Sequence, residues 1–118
     1  MNASKLGLKA EEDVIRYLEK RSWIILKHRY RTIGSEIDII AKKNKNLIFI
    51  EVKYRSPNFL TLNNIENLIP TQKKKSLQKG ISHFLSQNDV VYEGLGCFLA
   101  LVTKKSLKFY SGILEEKF

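Results

Sequence analysis

The chain has 118 residues, 43% apolar and 10% aromatic, enough for one folded domain with a real core and too many for a disordered chain. Its 21 Lys and Arg against 12 Asp and Glu give a net charge of +9, which favours a polyanionic partner, nucleic acid first, because each neutralised phosphate releases counterions. A single cysteine, Cys97, excludes an internal disulfide and every multi-cysteine zinc pattern, and the longest apolar run, "CFLALV" at 97–102, is too short to span a bilayer.

The amino terminus "MNASKLGLKAEED" has no apolar signal region, so a single cytoplasmic domain over residues 1–118 is expected. No helix joins a broad apolar face to a basic one, so no membrane partner is expected either. Ser4 is placed to cap a helix from about Leu6 to Lys20, with Leu8, Glu11, Val14/Ile15 and Leu18 as its inward stripe. The stretch "WIILKHRYR" reads as a strand with Trp23, Ile25 and Lys27 on one side and Ile24 and Leu26 on the other. Gly34 and Ser35 break it before a hairpin, "EIDIIAKKNKNLIFIEVKYR", at 36–55.

Residues 57–70 read as an irregular segment anchored by Leu60, Leu62, Ile65 and Leu68. Thr71 is expected to cap a second helix, "QKKKSLQKGISHFLSQ", with Leu77, Ile81 and Phe84/Leu85 buried. Gly94 and Gly96 precede a strand "CFLALVT", and Lys104 and Lys105 turn the chain into a last strand, "LKFYSGIL". The order helix, three strands, helix, two strands predicts an α/β sandwich with a mixed five-stranded sheet flanked by helices and the hairpin at its centre.

The hairpin carries the chemistry. A turn at Asn44-Lys45 sets Asp38 directly across from Glu51 and Glu36 across from Lys53. Alternation then puts Glu36, Asp38, Ile40, Phe49, Glu51 and Lys53 on one face. The reverse face, Ile37, Ile39, Ala41, Ile48, Ile50 and Val52, is wholly apolar and is the expected core face. Opposed carboxylates repel, and burial drives one of them to keep its proton. A divalent cation between Asp38 and Glu51 removes both objections, and Mg²⁺ or Mn²⁺ suits such oxygen ligands. Lys53 points the same way and is placed to orient an attacking water. The bland alternative has Glu36 paired with Lys53, Asp38 capping a turn or meeting an Arg, and Glu51 in solvent.

Two helices add to this. Glu11 lies on a buried stripe, either as part of the site or as an early-turn glutamate favoured by the helix dipole. Lys73, Lys74 and Lys75 occupy the first turn of the second helix, where cations are disfavoured unless a phosphate binds there. Lys73 or Lys74, in line with Leu77, is the one expected to face the site. His28 and His83 have no partner at metal-ligand spacing and read as structural or surface residues. Cys97 reads as core rather than nucleophile.

With these residues in place, the sequence resembles the YraN-type family of small bacterial proteins. The matching segments are "AEEDVIRYLEKRSW", "SEIDIIAKKNKNLIFIEVKYR" and, more loosely, "PTQKKKSLQKGISHFL". The resemblance implies a restriction-endonuclease-like fold of the PD-(D/E)XK nuclease-like superfamily, similar to archaeal Holliday-junction resolvases. It implies Asp38 and Glu51 as the metal pair, Lys53 as the superfamily lysine, Glu11 as the helix glutamate, and Lys73 as the lysine opening the second helix. Three positions depart from the family pattern: Ser35 and Ala10 stand where Gly is usual, and Cys97-Phe98-Leu99 where Arg-Phe-Asp is common.

The expected function is a Mg²⁺-dependent endonuclease on DNA, branched or single-stranded, with Lys53 and Glu11 catalytic and Lys73, Lys74 and Arg55 gripping phosphates. The alternative is a catalytically silent nucleic-acid-binding module with the same fold. A branched substrate would call for a homodimer.

Overall fold

Residues 3–62 and 64–114 are described by a computed structural model of the chain. The apolar stripe near the amino terminus forms α1 (Ala3–Lys20), which starts three residues before the expected Leu6 and so has Ser4 inside it rather than ahead of it. Three strands follow: β1 (Ile24–Thr32), β2 (Ser35–Lys43) and β3 (Asn46–Tyr54). A short helix α2 (Phe59–Leu62) and a 3₁₀ turn (Ile65–Leu68) lead to α3 (Thr71–Gln87), then β4 (Gly94–Val102) and β5 (Leu107–Tyr110).

The strands lie in the order β1-β2-β3-β4-β5, and only the β3–β4 pair is parallel. A parallel pair needs a crossover of a dozen or more residues, and the segment containing α3 supplies it. The result is the expected α/β sandwich with a mixed five-stranded sheet, consistent with the restriction-endonuclease-like arrangement. Among the described residues, no helix is long and apolar enough to cross a membrane.

Both faces of the sheet are core, which corrects the expectation of one core face. α1 lays Ala10, Val14 and Leu18 on Ile39, Ala41, Ile48 and Ile50. α3 lays Leu77, Ile81 and Phe84 on Ile40, Phe49, Leu99 and Leu101, with Leu68 and Ile69 closing one side. The hairpin is central and therefore covered twice.

Its turn is as read: Asn44 takes a left-handed φ of 54°, Lys43 pairs with Asn46, and the register runs on to Ile39 opposite Ile50. β1 and β2 form a second hairpin, also with a two-residue loop, with Thr32 opposite Ser35, so Ser35 opens β2 instead of breaking the chain; Gly34 supplies the positive φ of 78°. Ser35 Oγ donates to the carbonyl of Ser76 at 2.6 Å, and a Cβ on Gly80 would collide with that hydroxyl, so α3 sits against β2 only because residue 80 is glycine.

Side-chain alternation fails in one place. Residues two apart on a strand share a face. Yet Tyr30 stacks edge-on against Phe84 of α3, whereas His28 reaches Glu11 of α1. Likewise Ile37 joins the α3 core and Ile39 the α1 core. Between them lie Arg29, with a φ of 59°, and Asp38, flanked by the pairs His28–Ile39 and Tyr30–Ile37. A left-handed residue turns the strand over, and Ile37 therefore leaves the face that strict alternation assigns it. An extra residue at Leu26 shifts the register between Ile25 and Lys27, so Leu26 packs towards α3 while Lys27 is exposed.

Two helix and strand ends also differ from expectation. The N-cap of α3 is Pro70, not Thr71, since Pro70 is extended and Thr71 is already helical. β4 begins at Gly94, so both glycines lie in the strand rather than before it.

Candidate functional site

The turn-over at Arg29 and Asp38 is where β2 and β3 part. Their paired register ends at Ile39 and Ile50, and at the next position the Val52 N–H donates to Asp38 Oδ2 at 2.7 Å. A carboxylate thus takes the place of a ladder carbonyl. Glu51, on β3 beside Asp38, is 2% exposed. The solvated Glu51 of the bland alternative is excluded. So is its Glu36–Lys53 pair, because Glu36 Oε2 accepts from Arg31 Nε at 3.2 Å instead.

Glu51 is unevenly satisfied. Its Oε2 lies 3.2 Å from Lys53 Nζ and 3.3 Å from Lys73 Nζ, both lysines half-buried. Among the described residues its Oε1 is buried and has no hydrogen-bond partner. An orphaned carboxylate oxygen in a protein interior carries its full desolvation cost. Asp38 feels the same surroundings: burial first, then the charge of Glu51, push its carboxyl up to about 8, against the Val52 N–H that favours ionisation. Glu11 adds a smaller repulsion from the α1 side.

Glu11 is buried, as its stripe position indicates, while Glu12 and Arg16 face solvent. Its Oε1 is held by His28 Nε2 at 2.8 Å and by Arg29 Nε at 3.2 Å. His28 and Arg29 therefore hold Glu11 in place, and of the two readings of His28 the structural one fits. Strict alternation gives no hint of this, because the contact depends on the turn-over at Arg29.

Asp38, Glu51, Lys53 and Lys73 come together, with Glu11 beside Asp38. Lys73, not Lys74, is the lysine that faces the carboxylates. Lys74 is half-buried and, among the described residues, makes no ion pair with them; its N–H bonds the Pro70 carbonyl at 3.0 Å. Arg55 is turned to its own strand end, donating to the Tyr54 carbonyl at 2.7 Å with its guanidinium 5.8 Å from the Phe59 ring centre. Among the described residues no three His, Cys, Asp or Glu side chains converge as a metal cluster. Asp38 and Glu51 are the two carboxylates here that could hold a divalent cation, Glu51 Oε1 having no hydrogen-bond partner among the described residues.

A family model described as "Uncharacterised protein family UPF0102" matches residues 10–98, which hold every residue of this cluster. The chain belongs to this family. UPF0102 proteins similar to it include one from Carboxydothermus hydrogenoformans, 38% identical over 88 residues covering 75% of this chain and 73% of the relative. Another, from Christiangramia forsetii, is 32% identical over 104 residues, 87% of this chain and 85% of the relative. A third, from Pseudothermotoga lettingae, is 31% identical over 104 residues, 88% and 94% of the two chains. This is the YraN-type family that the hairpin resembles. Within the UPF0102 match, Cys97 is half-buried beside Phe49, and burial with the charge of Glu51 pushes its thiol up to about 12. Such a thiol is core, as read from the sequence, and not a nucleophile.

Proposed function

We propose that this protein is a metal-dependent phosphodiesterase of the PD-(D/E)XK nuclease-like superfamily, an endonuclease on branched or single-stranded DNA. The observation that carries this reading is the orphaned, buried Glu51 Oε1 beside an Asp38 whose ionisation the fold opposes. Two carboxyls held together at such cost fit a divalent cation, Mg²⁺ or Mn²⁺, with the Val52 backbone carbonyl completing the oxygen donors. When bound, the ion supplies a hydroxide and offsets charge on the phosphate.

The chain's own groups do the rest. Lys53, already at Glu51, orients the attacking water. Lys73 reaches the same carboxylate from the start of α3 and is placed to hold a phosphate oxygen. Lys74 and Arg55 flank this point and contribute charge to the nucleic acid track. Glu11 acts through His28 and Arg29, fixing the β1 turn-over that holds Asp38 in place. The net charge of +9 supports a nucleic acid partner.

One observation favours the silent binding module instead: Glu11 is engaged by His28 and Arg29, and both lysines sit on Glu51. Calorimetric titration of Mg²⁺ into the wild type and Asp38→Ala, with and without a short DNA junction, separates the two. Metal uptake that disappears in Asp38→Ala is expected for the enzyme. DNA binding without Asp38-dependent metal uptake sinks the enzyme and leaves the module. Sedimentation of the same samples reads whether the junction assembles a symmetric homodimer.

A further inference from the structure

A cavity of about 470 Å³ lies on the α1 side of the sheet, at the opposite end of β3 from the carboxylates. Asn46, at its mouth, precedes Glu51 by five residues, about 17 Å along an extended strand. The cavity lies where α1, packed mainly on β1, β2 and β3, meets β5 only at its carboxyl end, through Tyr17 against Phe109 at 5.4 Å. Its walls are aromatic: Tyr17 from α1, Trp23 before β1, Phe98 from β4 and Phe109 from β5. Gly94 and Gly96 line it as well, and their missing side chains make room for Asn46 and for the Phe98 ring.

Two polar side chains with opposite talents stand among these rings. Arg21, at the carboxyl end of α1, is exposed and lies with its guanidinium 3.5 Å from the Tyr17 ring centre, anchored by a 3.2 Å bond to the Tyr17 carbonyl. One guanidinium edge is thereby spent, and the remaining donors suit an anion at the mouth. Asn46, exposed at the head of β3, offers both a donor and an acceptor, the pair that reads the edge of a nitrogen heterocycle. Tyr17 is already engaged, with Arg21 over its face and Phe109 tilted against it at 5.4 Å, so Trp23 and Phe98 supply the aromatic surface left for a flat π ligand. The volume lies in the range of small-molecule pockets.

From these features we infer that the Tyr17–Trp23–Phe98–Phe109 cavity binds a nucleoside monophosphate unit, base among the rings and phosphate at Arg21. This site is separate from the carboxylate cluster and does not depend on metal binding there. A free mononucleotide and the unstacked end of an oligonucleotide share this chemistry.

Trp23 is the only tryptophan and lines the cavity, so its emission reports occupancy directly. The intact protein is titrated with AMP, UMP, inorganic phosphate and a 5′-phosphorylated tetranucleotide. Saturable quenching by a mononucleotide, absent with phosphate alone, is expected. Arg21→Gln is expected to weaken the mononucleotide about tenfold while leaving adenosine within twofold. A tetranucleotide tenfold tighter than AMP assigns the site to a nucleic acid end; equal affinity assigns it to the free nucleotide. No saturable quenching at millimolar nucleotide overturns the inference. So does a response lost in Lys73→Gln but kept in Arg21→Gln, which moves the ligand to the carboxylates. Quenching with unchanged Arg21→Gln affinity overturns the phosphate assignment and with it the nucleotide. Thermal melting of each variant checks that the fold is retained.

Discussion

Arg29 lies opposite Asp38, and at this pair both strands turn over. The left-handed φ of 59° at Arg29 puts His28 and Tyr30 on different faces of the sheet, one meeting α1 and the other α3. Asp38 is thereby carried to the edge of the β2–β3 ladder, where its carboxylate meets the Val52 N–H. The site depends on a backbone irregularity that an arginine holds at some conformational cost.

That cost sets the first expectation. Asn tolerates the left-handed region and Val does not. Arg29→Asn should lie within about 1 kcal/mol of the wild type, losing only a partly exposed ion pair to Glu11. Arg29→Val should lose roughly 2 kcal/mol or more through backbone strain. Urea denaturation of the two variants measures the difference. Equal losses would mean that the Glu11 contact, not the φ, is what residue 29 supplies.

Asp38 makes stability depend on pH. In the folded chain its carboxyl holds a proton up to about 8, while in the unfolded chain it releases one near the ordinary value of 3.8. Its contribution is fully present below the unfolded value and is lost as pH rises through about 8. Without added metal, stability should fall on the order of 3 kcal/mol between about pH 5 and pH 8, after allowance for the partial exposure of the group. Asp38→Asn cannot ionise and should flatten that decline, ending more stable than the wild type at pH 8. Thermal melts across the range decide it, and a wild-type curve as flat as the variant's would refute the coupling.

Much of this was legible in the chain. The Asn44-Lys45 turn and a period of two fixed the register of β2 on β3 as far as Ile39 and Ile50, and beyond it Asp38 and Glu51 come close enough to interact. Helical spacing from Leu77 pointed to the first turn of α3, and there Lys73 meets Glu51. What could not be read depends on backbone geometry with no residue-type marker. Left-handed φ is usually announced by Gly or Asn, and here Arg29 adopts it, so the contact of His28 with Glu11 was not foreseen and Ile37 was given the wrong face. The glycines of β4 looked like a break because small residues mark turns more often than strands.

Cys97 offers a check on how dry the site is. With its thiol pushed up to about 12, its thiolate fraction at pH 8 is roughly a thousandfold below that of an ordinary cysteine. Alkylation by iodoacetamide in native buffer should be slower by a similar factor, and become ordinary in denaturant. Rapid native alkylation would show that water reaches Glu51 and would weaken the desolvation argument for both carboxyls.

Lys73 tests whether ammonium groups and a divalent cation compete for the same carboxylate. Lys53 and Lys73 both rest on Glu51 Oε2, so an arriving cation meets a carboxylate already partly neutralised. Phosphate that draws Lys73 away would relieve that competition, and by linkage metal would strengthen phosphate binding by the same factor. Lys73→Met keeps the apolar stem and removes the charge. Mg²⁺ affinity of the free protein should then rise about tenfold, and DNA should no longer strengthen it, the tenfold step corresponding to about 1.4 kcal/mol. Calorimetry of both proteins with and without DNA supplies the four affinities needed. If Lys73→Met binds Mg²⁺ no better than the wild type while DNA still enhances it, Lys73 is a bystander to the metal. Its contact with Glu51 then serves only to dock α3 on the sheet.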